Sequence, residues 1–189
     1  MARSFQFIRH PQYEGQHAPF SPSQSAWLRY NDEKLKKSFI KKQAAKRGTI
    51  LHEWAAQTIK LKLKQPDNNQ TICRYINDAI GYRMSVEVVL FYSEYHFGTA
   101  DAISFRDNVL RIHDLKTGEE PASMEQLLVY AALFCLEYKI KPGTIKFELR
   151  IYQNDQVFIS EPTAEDVLPV MDRIVHQNKV LEEMDYLED

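Results

Sequence analysis

The chain has 189 residues, of which 44% are hydrophobic and 26% charged, and its formal net charge at pH 7 is −2. These values are ordinary for one soluble globular domain and exclude the disordered, collagen-like and coiled-coil classes. No run approaches the roughly 18 apolar residues of a membrane helix, and the N-terminus lacks the apolar core of a signal peptide. The two cysteines, Cys73 and Cys135, are too few for a four-thiolate cluster. We therefore expect a cytoplasmic protein with no membrane partner.

Charge is distributed unevenly along the chain. Residues 1–64 contain 13 lysines and arginines against 4 aspartates and glutamates, whereas the remainder contains 11 against 22. The basic residues are densest between Arg29 and Arg47. Such a segment suits a phosphate-binding surface, and it equally suits a solvated helix face. The acidic stretch from Glu161 onward is unfavourable for contact with nucleic acid.

The first half of the chain predicts helices. Prolines and a glycine make residues 1–20 an irregular lead-in, and the hydroxyls of Ser21-Pro22-Ser23 are suited to capping a helix that follows. A lysine-rich helical segment comes next. Apolar residues then recur at helical spacing over 48–64, which predicts a helix. A loop at 66–69 separates it from another predicted helix at 71–80.

The second half changes to the period of a β-sheet. Three β-branched and aromatic runs predict a meander of strands, followed by an apolar helix, one or two further strands and a final helix that begins near Thr163. The predicted strands are 85–92, 95–105, 109–115, 144–152 and 156–160, and the predicted helices are 122–138 and 163–186. This order predicts an α/β fold with a mixed central sheet flanked by helices and an N-terminal helical segment.

Two carboxylates lie on neighbouring predicted strands. Asp114 and Lys116 are two apart at the end of the third strand and therefore share a face. Asp101 lies among small residues in the second strand, where an unpaired inward carboxylate would be unfavourable by several kcal/mol. Counting back from the turn between these strands brings Asp101 nearly opposite Asp114. The pair indicates a divalent-cation site, and a salt bridge between Asp114 and Lys116 on the sheet face is the simpler alternative.

Three further polar residues accompany these carboxylates. His52 lies one turn into the apolar helix, where a lone histidine is usually a satisfied core residue. Gln126 and Tyr130 are spaced i, i+4 on the helix after Lys116 and share one face. Tyr130 taken alone suits a core aromatic, but a polar Gln126 among leucines is harder to explain as core.

These residues resemble, in order along the chain, the motifs of the PD-(D/E)XK nuclease superfamily. The nearest branch is that of the RecB-type exonucleases, which includes CRISPR-associated RecB-like nucleases and many phage exonucleases. The matching segments run from about Ser21 to Tyr138 and are Ser21-Pro22-Ser23-Gln24, Gly48-Thr49-x-x-His52, Gly98-Thr99-Ala100-Asp101, Asp114-Leu115-Lys116-Thr117-Gly118 and Gln126-x-x-x-Tyr130. Many relatives carry a glutamate four residues after the histidine, where this chain has Ala56. Some relatives hold an iron–sulfur cluster through four cysteines, so this chain would be a cluster-free member.

The resemblance implies a restriction-endonuclease-like αβββαβ core within a single nuclease domain spanning 1–189. In that division 1–47 is the lead-in with the basic helical segment, 48–160 is the catalytic core and 161–189 is the acidic C-terminal helix. The resemblance also implies a Mg²⁺ or Mn²⁺ cofactor. The implied metal ligands are His52, Asp101, Asp114 and the carbonyl oxygen of Leu115, and the implied catalytic residues are Asp101, Asp114, Lys116, Gln126 and Tyr130. The expected nucleic-acid contacts are Lys34, Lys37, Lys41, Lys42, Lys46 and Arg47.

The expected function is metal-dependent hydrolysis of DNA phosphodiesters, by an exonuclease of recombination, repair or phage DNA processing. Its substrate would be single- or double-stranded DNA with an end, and a homo-oligomer and a recombination partner protein are compatible with the branch. One alternative is a catalytically weak or inactive nuclease fold that serves as a nucleic-acid-binding or assembly module. A structure-specific or RNA-directed endonuclease is another. Glu87, in the first predicted strand, is a further candidate carboxylate near the metal.

Overall fold

The computed structural model describes residues 10–13, 18–118 and 121–185, which form four α-helices and five β-strands. The elements in chain order are α1 (Asp32–Lys60), α2 (Thr71–Gly81), β1 (Ser85–Ser93), β2 (His96–Arg106), β3 (Val109–Leu115), α3 (Glu125–Glu137), β4 (Lys146–Gln153), β5 (Gln156–Ser160) and α4 (Ala164–Asp185). Short 3-10 helices occupy Pro11–Tyr13, Pro22–Arg29 and Pro142–Thr144. The predicted α/β class with a mixed sheet is confirmed. Much of the predicted lead-in over 1–20 lies outside the described residues.

The chain divides into two compact units, Met1–Arg47 and Gly48–Asp189, and α1 begins in the first and ends in the second. In the first unit the ring of Phe20 stacks on Phe39 with centroids 6.4 Å apart and meets Trp27 edge-on at 6.3 Å. The Ser21 hydroxyl was expected to cap a helix, but no side-chain cap bond is formed there. The Oγ atoms of Ser21 and Ser23 lie 2.8 Å apart in a hydrogen bond instead.

The second unit is built on a five-stranded sheet in the order β1-β2-β3-β4-β5. All neighbouring pairs are antiparallel except β3 and β4, which run parallel and are connected through α3. Two parallel strands need a crossover connection of this kind, because a tight turn reverses the chain direction and can join only antiparallel strands. The element order from α1 to β4 is therefore αα-βββ-α-β.

Two hydrophobic clusters cover the two faces of this sheet. One joins Leu110 and Ile112 of β3 to the apolar face of α3 and to Val167 and Ile174 of α4. The other joins Leu115 and Tyr152 to α2 and to the C-terminal part of α1. The sheet is therefore buried on both faces, although β4 alternates apolar and polar residues along its length.

Helix α1 packs through small side chains. Ala55, Ala56 and Ile59 are buried, whereas Ile50 and Trp54, part of the apolar pattern that predicted the helix, are 54% and 45% exposed. The sequence pattern thus identified the helix correctly without identifying which of its faces is buried. In the described part of the chain no helix is both long and apolar enough to span a bilayer. Cys73 and Cys135 are buried free thiols.

Candidate functional site

The site lies where β2 and β3 separate. Their last ladder pair is Ala102 with His113, and one further step of that register would bring Asp101 opposite Asp114. Beyond the last pair, a side chain replaces the backbone acceptor of β2: the Leu115 N–H donates to Asp101 Oδ2 at 2.9 Å. The two carboxylates are therefore neighbours at an open end of the sheet.

Asp114 is the more deeply buried of the two carboxylates, with its side chain 6% exposed. Burial, and then the negative charge of Asp101, raise the pKa of Asp114 to about 6, although the ammonium of Lys116 opposes both. Lys116 Nζ donates to Asp114 Oδ1 at 3.2 Å. Oδ2 lies 3.0 Å from the same nitrogen but, although buried, accepts no hydrogen bond from any described group. One oxygen of a buried carboxylate thus retains a free lone pair for a cation.

His52 reaches this pair from α1. Its Nδ1 lies 3.4 Å from Asp101 Oδ2. This contact with the Asp101 carboxylate raises the pKa of His52 above its ordinary value, against the opposite effect of burial. His52 is therefore not a satisfied core histidine, because its ring is partly exposed and lies beside a carboxylate.

Lys116 begins a chain of hydrogen bonds that ends on β2. Its Nζ donates to Gln126 Oε1 at 2.8 Å, and Gln126 Nε2 donates to the Tyr130 hydroxyl at 3.4 Å. The hydroxyl of Tyr130 in turn donates to the carbonyl oxygen of Thr99 at 2.7 Å. The i, i+4 pair on α3 therefore orients the ammonium between a carboxylate and an amide, which explains a polar Gln126 beside leucines.

Two glycines of the sequence motifs make room for this arrangement. A Cβ on Gly98 would stand 2.9 Å from Cε1 of the Tyr130 ring. A Cβ on Gly48 would stand 2.7 Å from Oγ1 of Thr117. The absence of a side chain at both positions is a matter of close packing beside the site rather than of backbone conformation.

Glu87 of β1 is a third carboxylate near His52 and Asp101. These three side chains, with Ala56 and Tyr75, line a cavity of about 20 Å³, enough for one water or a small ion. Glu87 has a φ of 54°, which is unfavourable for a non-glycine residue inside a strand. Its Oε2 lies 3.1 Å from Lys60 Nζ. The sequence indicated Glu87 only as a secondary candidate, because a strand pattern does not predict a residue with a left-handed backbone conformation.

A buried polar cluster lies behind Asp114, on the α2 side of the sheet. The Tyr152 hydroxyl donates to Asp78 Oδ2 at 2.6 Å and lies 3.2 Å from His113 Nδ1. Since that hydroxyl has one proton, Nδ1 of His113 must carry the hydrogen in their bond. Burial, and then the charges of Arg150 and Arg111, lower the pKa of His113 to about 3. His113 is therefore a neutral structural residue.

The six basic residues expected to contact nucleic acid all lie on α1 within the first unit, and they differ in their partners. Lys37 Nζ is 2.7 Å from Glu33, and Lys34 Nζ lies 4.5 Å from the centroid of the Tyr30 ring. Lys42 Nζ donates to Gln24 Oε1 at 3.3 Å. Lys46 lines a cavity with Lys42, whereas Arg47 lines another. These lysines therefore lie on more than one face of the helix.

The side chains at this end of the sheet have the chemistry of a metal site. Among the described residues, no group of three histidine, cysteine, aspartate or glutamate side chains stands close enough to hold a metal in its present conformation. The donor set nevertheless fits, because Asp114 Oδ2, which accepts no hydrogen bond from a described group, lies with the Asp101 carboxylate and the His52 imidazole at one end of the sheet. Oxygen donors with one imidazole suit Mg²⁺ and Mn²⁺.

No protein-family model matches the chain, and no curated protein matches it.

Proposed function

We propose that this protein is a metal-dependent nuclease of the PD-(D/E)XK type that hydrolyses DNA phosphodiesters. The observation that carries the proposal is the position of Lys116, whose ammonium is held between the buried Asp114 carboxylate and Gln126 at the end of the sheet. A salt bridge of purely structural value would not need the half-buried Asp101 carboxylate beside it, because two like charges raise the free energy of the fold. A cation-binding site explains that arrangement.

His52, Asp101, Asp114 and the carbonyl oxygen of Leu115 would hold Mg²⁺ or Mn²⁺, which would polarise the scissile phosphate and lower the pKa of a bound water. The repulsion between Asp101 and Asp114, which contributes to the raised pKa of Asp114, would then favour binding of the cation. Asp101 is oriented for this task by its bond to the Leu115 N–H. His52 reaches the site from α1 beside that same carboxylate.

Lys116 would stabilise the negative charge that develops on the phosphate as its bond to the leaving oxygen breaks. Its side chain is 30% exposed, so the ammonium reaches solvent and a substrate while its stem is packed. Removing one positioned donor from a site of this kind typically lowers the rate by about 10²–10³-fold. Gln126 and Tyr130 would act as positioning residues, since they hold the ammonium through the bonds that end at Thr99.

Glu87 would supply a carboxylate that the helix lacks. Ala56, where many relatives of the branch carry glutamate, lines the same small cavity as Glu87. Glu87 has a left-handed backbone conformation, and its side chain lines that cavity together with His52 and Asp101. We expect Glu87→Gln to weaken Mn²⁺ binding measured by calorimetry, while Glu94→Gln, in the β1–β2 turn, leaves it unchanged. Equal affinities for the two variants would exclude Glu87 from the metal site.

The preference for DNA ends rests on the family resemblance and has a direct test. Purified protein is incubated with end-labelled linear DNA and with closed circular DNA of the same sequence, in Mg²⁺, Mn²⁺ or EDTA. An exonuclease releases label from the linear DNA in metal and leaves the circle intact. Cleavage of the circle would replace the exonuclease proposal with an endonuclease, while retaining the site.

A non-catalytic nucleic-acid-binding module is the second candidate. Ala56, where many relatives of the branch carry glutamate, favours it. A binding module would shift DNA in a gel with no metal requirement and leave it uncut. That outcome, with folded protein, would overturn the nuclease proposal.

A further inference from the structure

The N-terminal unit contains a cavity of about 540 Å³ that belongs to none of the residues discussed above as metal or catalytic groups. One wall is formed by residues 18–24, which lead into the 3-10 helix Pro22–Arg29, and the other wall is one face of α1. Its polar lining residues are Ser21, Ser23, Gln24, Lys42, Gln43 and Lys46. The volume falls in the range of about 300–1,000 Å³ typical of small-ligand pockets, so it is large enough for one nucleotide.

The lining is cationic. Lys42 and Lys46 are four residues apart on α1 and so project from the same face. None of the described lining residues is acidic, and neither lysine forms an ion pair with a described carboxylate. Lys37, on a different face of the same helix, is paired with Glu33 at 2.7 Å. The pocket therefore gathers two lysines whose charge is not neutralised by the described groups around them.

The opposite wall is held in place by its own hydrogen bonds. The backbone oxygen of Ser21 accepts from Gln24 N at 3.0 Å and from Trp27 Nε1 at 3.1 Å. The Ser21 hydroxyl makes no helix-capping bond and pairs with Ser23. Lys42 gives one of its three protons to Gln24, which leaves two for a ligand. The hydroxyl pair and the Lys42 ammonium are thus held by hydrogen bonds around one concavity, which Lys46 also lines.

We propose that this pocket binds a phosphate group of a nucleic-acid strand, with Lys42 and Lys46 as the charged contacts and, as a further donor, whichever hydroxyl of the Ser21–Ser23 pair keeps its proton free of their mutual bond. Phosphate is the anion that this chemistry suits best, because charged donors and hydroxyls are the groups that contact nucleic-acid backbones. The inference rests on the proposed function, since it names a contact of the same substrate. It assigns that contact to one helix face rather than to the whole basic segment.

The test measures binding without cleavage. Wild type and the variants Lys42→Gln, Lys46→Gln and Ser23→Ala are titrated in EDTA with a fluorescent single-stranded oligonucleotide of about 20 nucleotides, and anisotropy is followed at several salt concentrations. The matched control is Lys36→Gln, which removes the same charge from α1 outside the pocket. We expect each pocket lysine variant to weaken binding about tenfold and to reduce the salt slope by about 0.7. Ser23→Ala should weaken binding without changing the slope.

The outcomes separate the pocket from the catalytic proposal. If the Lys42 and Lys46 variants bind as tightly as Lys36→Gln, the pocket proposal is wrong whether or not the protein cleaves DNA. If they bind more weakly while the wild type cuts nothing in metal, the pocket stands and the nuclease proposal fails. Inorganic phosphate should compete with the oligonucleotide for wild type. Phosphate that binds the protein without displacing the oligonucleotide would assign the pocket to a free anion and overturn the inference.

Discussion

Replacing Asp114 by asparagine is expected to stabilise the protein while removing its activity. Burial and the charge of Asp101 raise the pKa of Asp114 to about 6 from its ordinary value of 3.8. A raised pKa in the folded state means that stability is complete below the unfolded pKa and declines as the pH rises through about 6. A shift of about two units corresponds to roughly 3 kcal/mol. At about pH 8 the wild type therefore carries the full penalty of an ionised Asp114.

The neutral amide of Asp114→Asn does not carry that penalty. We expect the variant to be about 2 kcal/mol more stable than wild type at about pH 8, since Lys116 loses one partner and some of the gain is forfeited. Urea unfolding in EDTA, followed by circular dichroism, gives the two free energies. At about pH 4, where wild-type Asp114 is mostly protonated, the difference should largely vanish. Asp107→Asn, in the exposed β2–β3 turn, is the matched control and should change neither value.

The metal provides a second arm of the same experiment. A cation held by Asp101 and Asp114 stabilises the fold by about 2.7 kcal/mol when its concentration is 100 times its dissociation constant. Saturating Mg²⁺ or Mn²⁺ should therefore stabilise the wild type and have little effect on Asp114→Asn. A variant that is no more stable than wild type in EDTA, or that gains as much from metal, would refute this reasoning.

The remaining predictions concern packing and a buried histidine. Gly98→Ala forces its Cβ against the Tyr130 ring and should lower the free energy of unfolding by about 1–3 kcal/mol. The control Gly81→Ala, whose Cβ would meet nothing within 4 Å, should be neutral or stabilising. Equal shifts of the melting temperature in the two variants would contradict the close contact at Gly98. Because burial lowers the pKa of His113 to about 3, the stability that it contributes is complete above its unfolded pKa and is lost as the pH falls toward 3. His113→Asn should therefore lose about 1.4 kcal/mol less than wild type per pH unit below about 6 in urea titrations, and parallel curves for the two proteins would contradict a neutral buried ring.

Much of the fold was predictable from residue patterns. The strands 109–115 and 156–160 have the predicted bounds, and the other strands and the helices α2, α3 and α4 differ by at most three residues at their ends. Helix α1 differs more, because it begins at Asp32 and joins the lysine-rich segment to the helix predicted over 48–64. Strand periodicity and turn residues are local signals, which is why they survive in a single sequence. Counting along two strands joined by a short turn also placed Asp101 beside Asp114, because register in such a hairpin follows from the turn.

Other parts of the site depend on contacts distant in the sequence. No local pattern reports that Lys116 meets Gln126 on the following helix, or that Tyr130 ends on the Thr99 carbonyl. The left-handed backbone of Glu87 arises inside a strand whose sequence looks regular. Helix α1 buries Ala55 and Ala56 and exposes larger apolar residues, so hydrophobicity alone does not identify its buried face. Tertiary packing decides each of these features.

The central claim is that Lys116 acts on a phosphodiester held at a metal site. The most direct measurement is the rate at which purified full-length protein cleaves end-labelled linear DNA in Mn²⁺, for wild type, for Lys116→Met and for the exposed-loop control Lys64→Met. We expect metal-dependent cleavage that EDTA abolishes, a loss of about 10²-fold or more in Lys116→Met, and a normal rate in Lys64→Met. Cleavage by Lys116→Met at the wild-type rate, or no cleavage by folded wild type, would contradict the account.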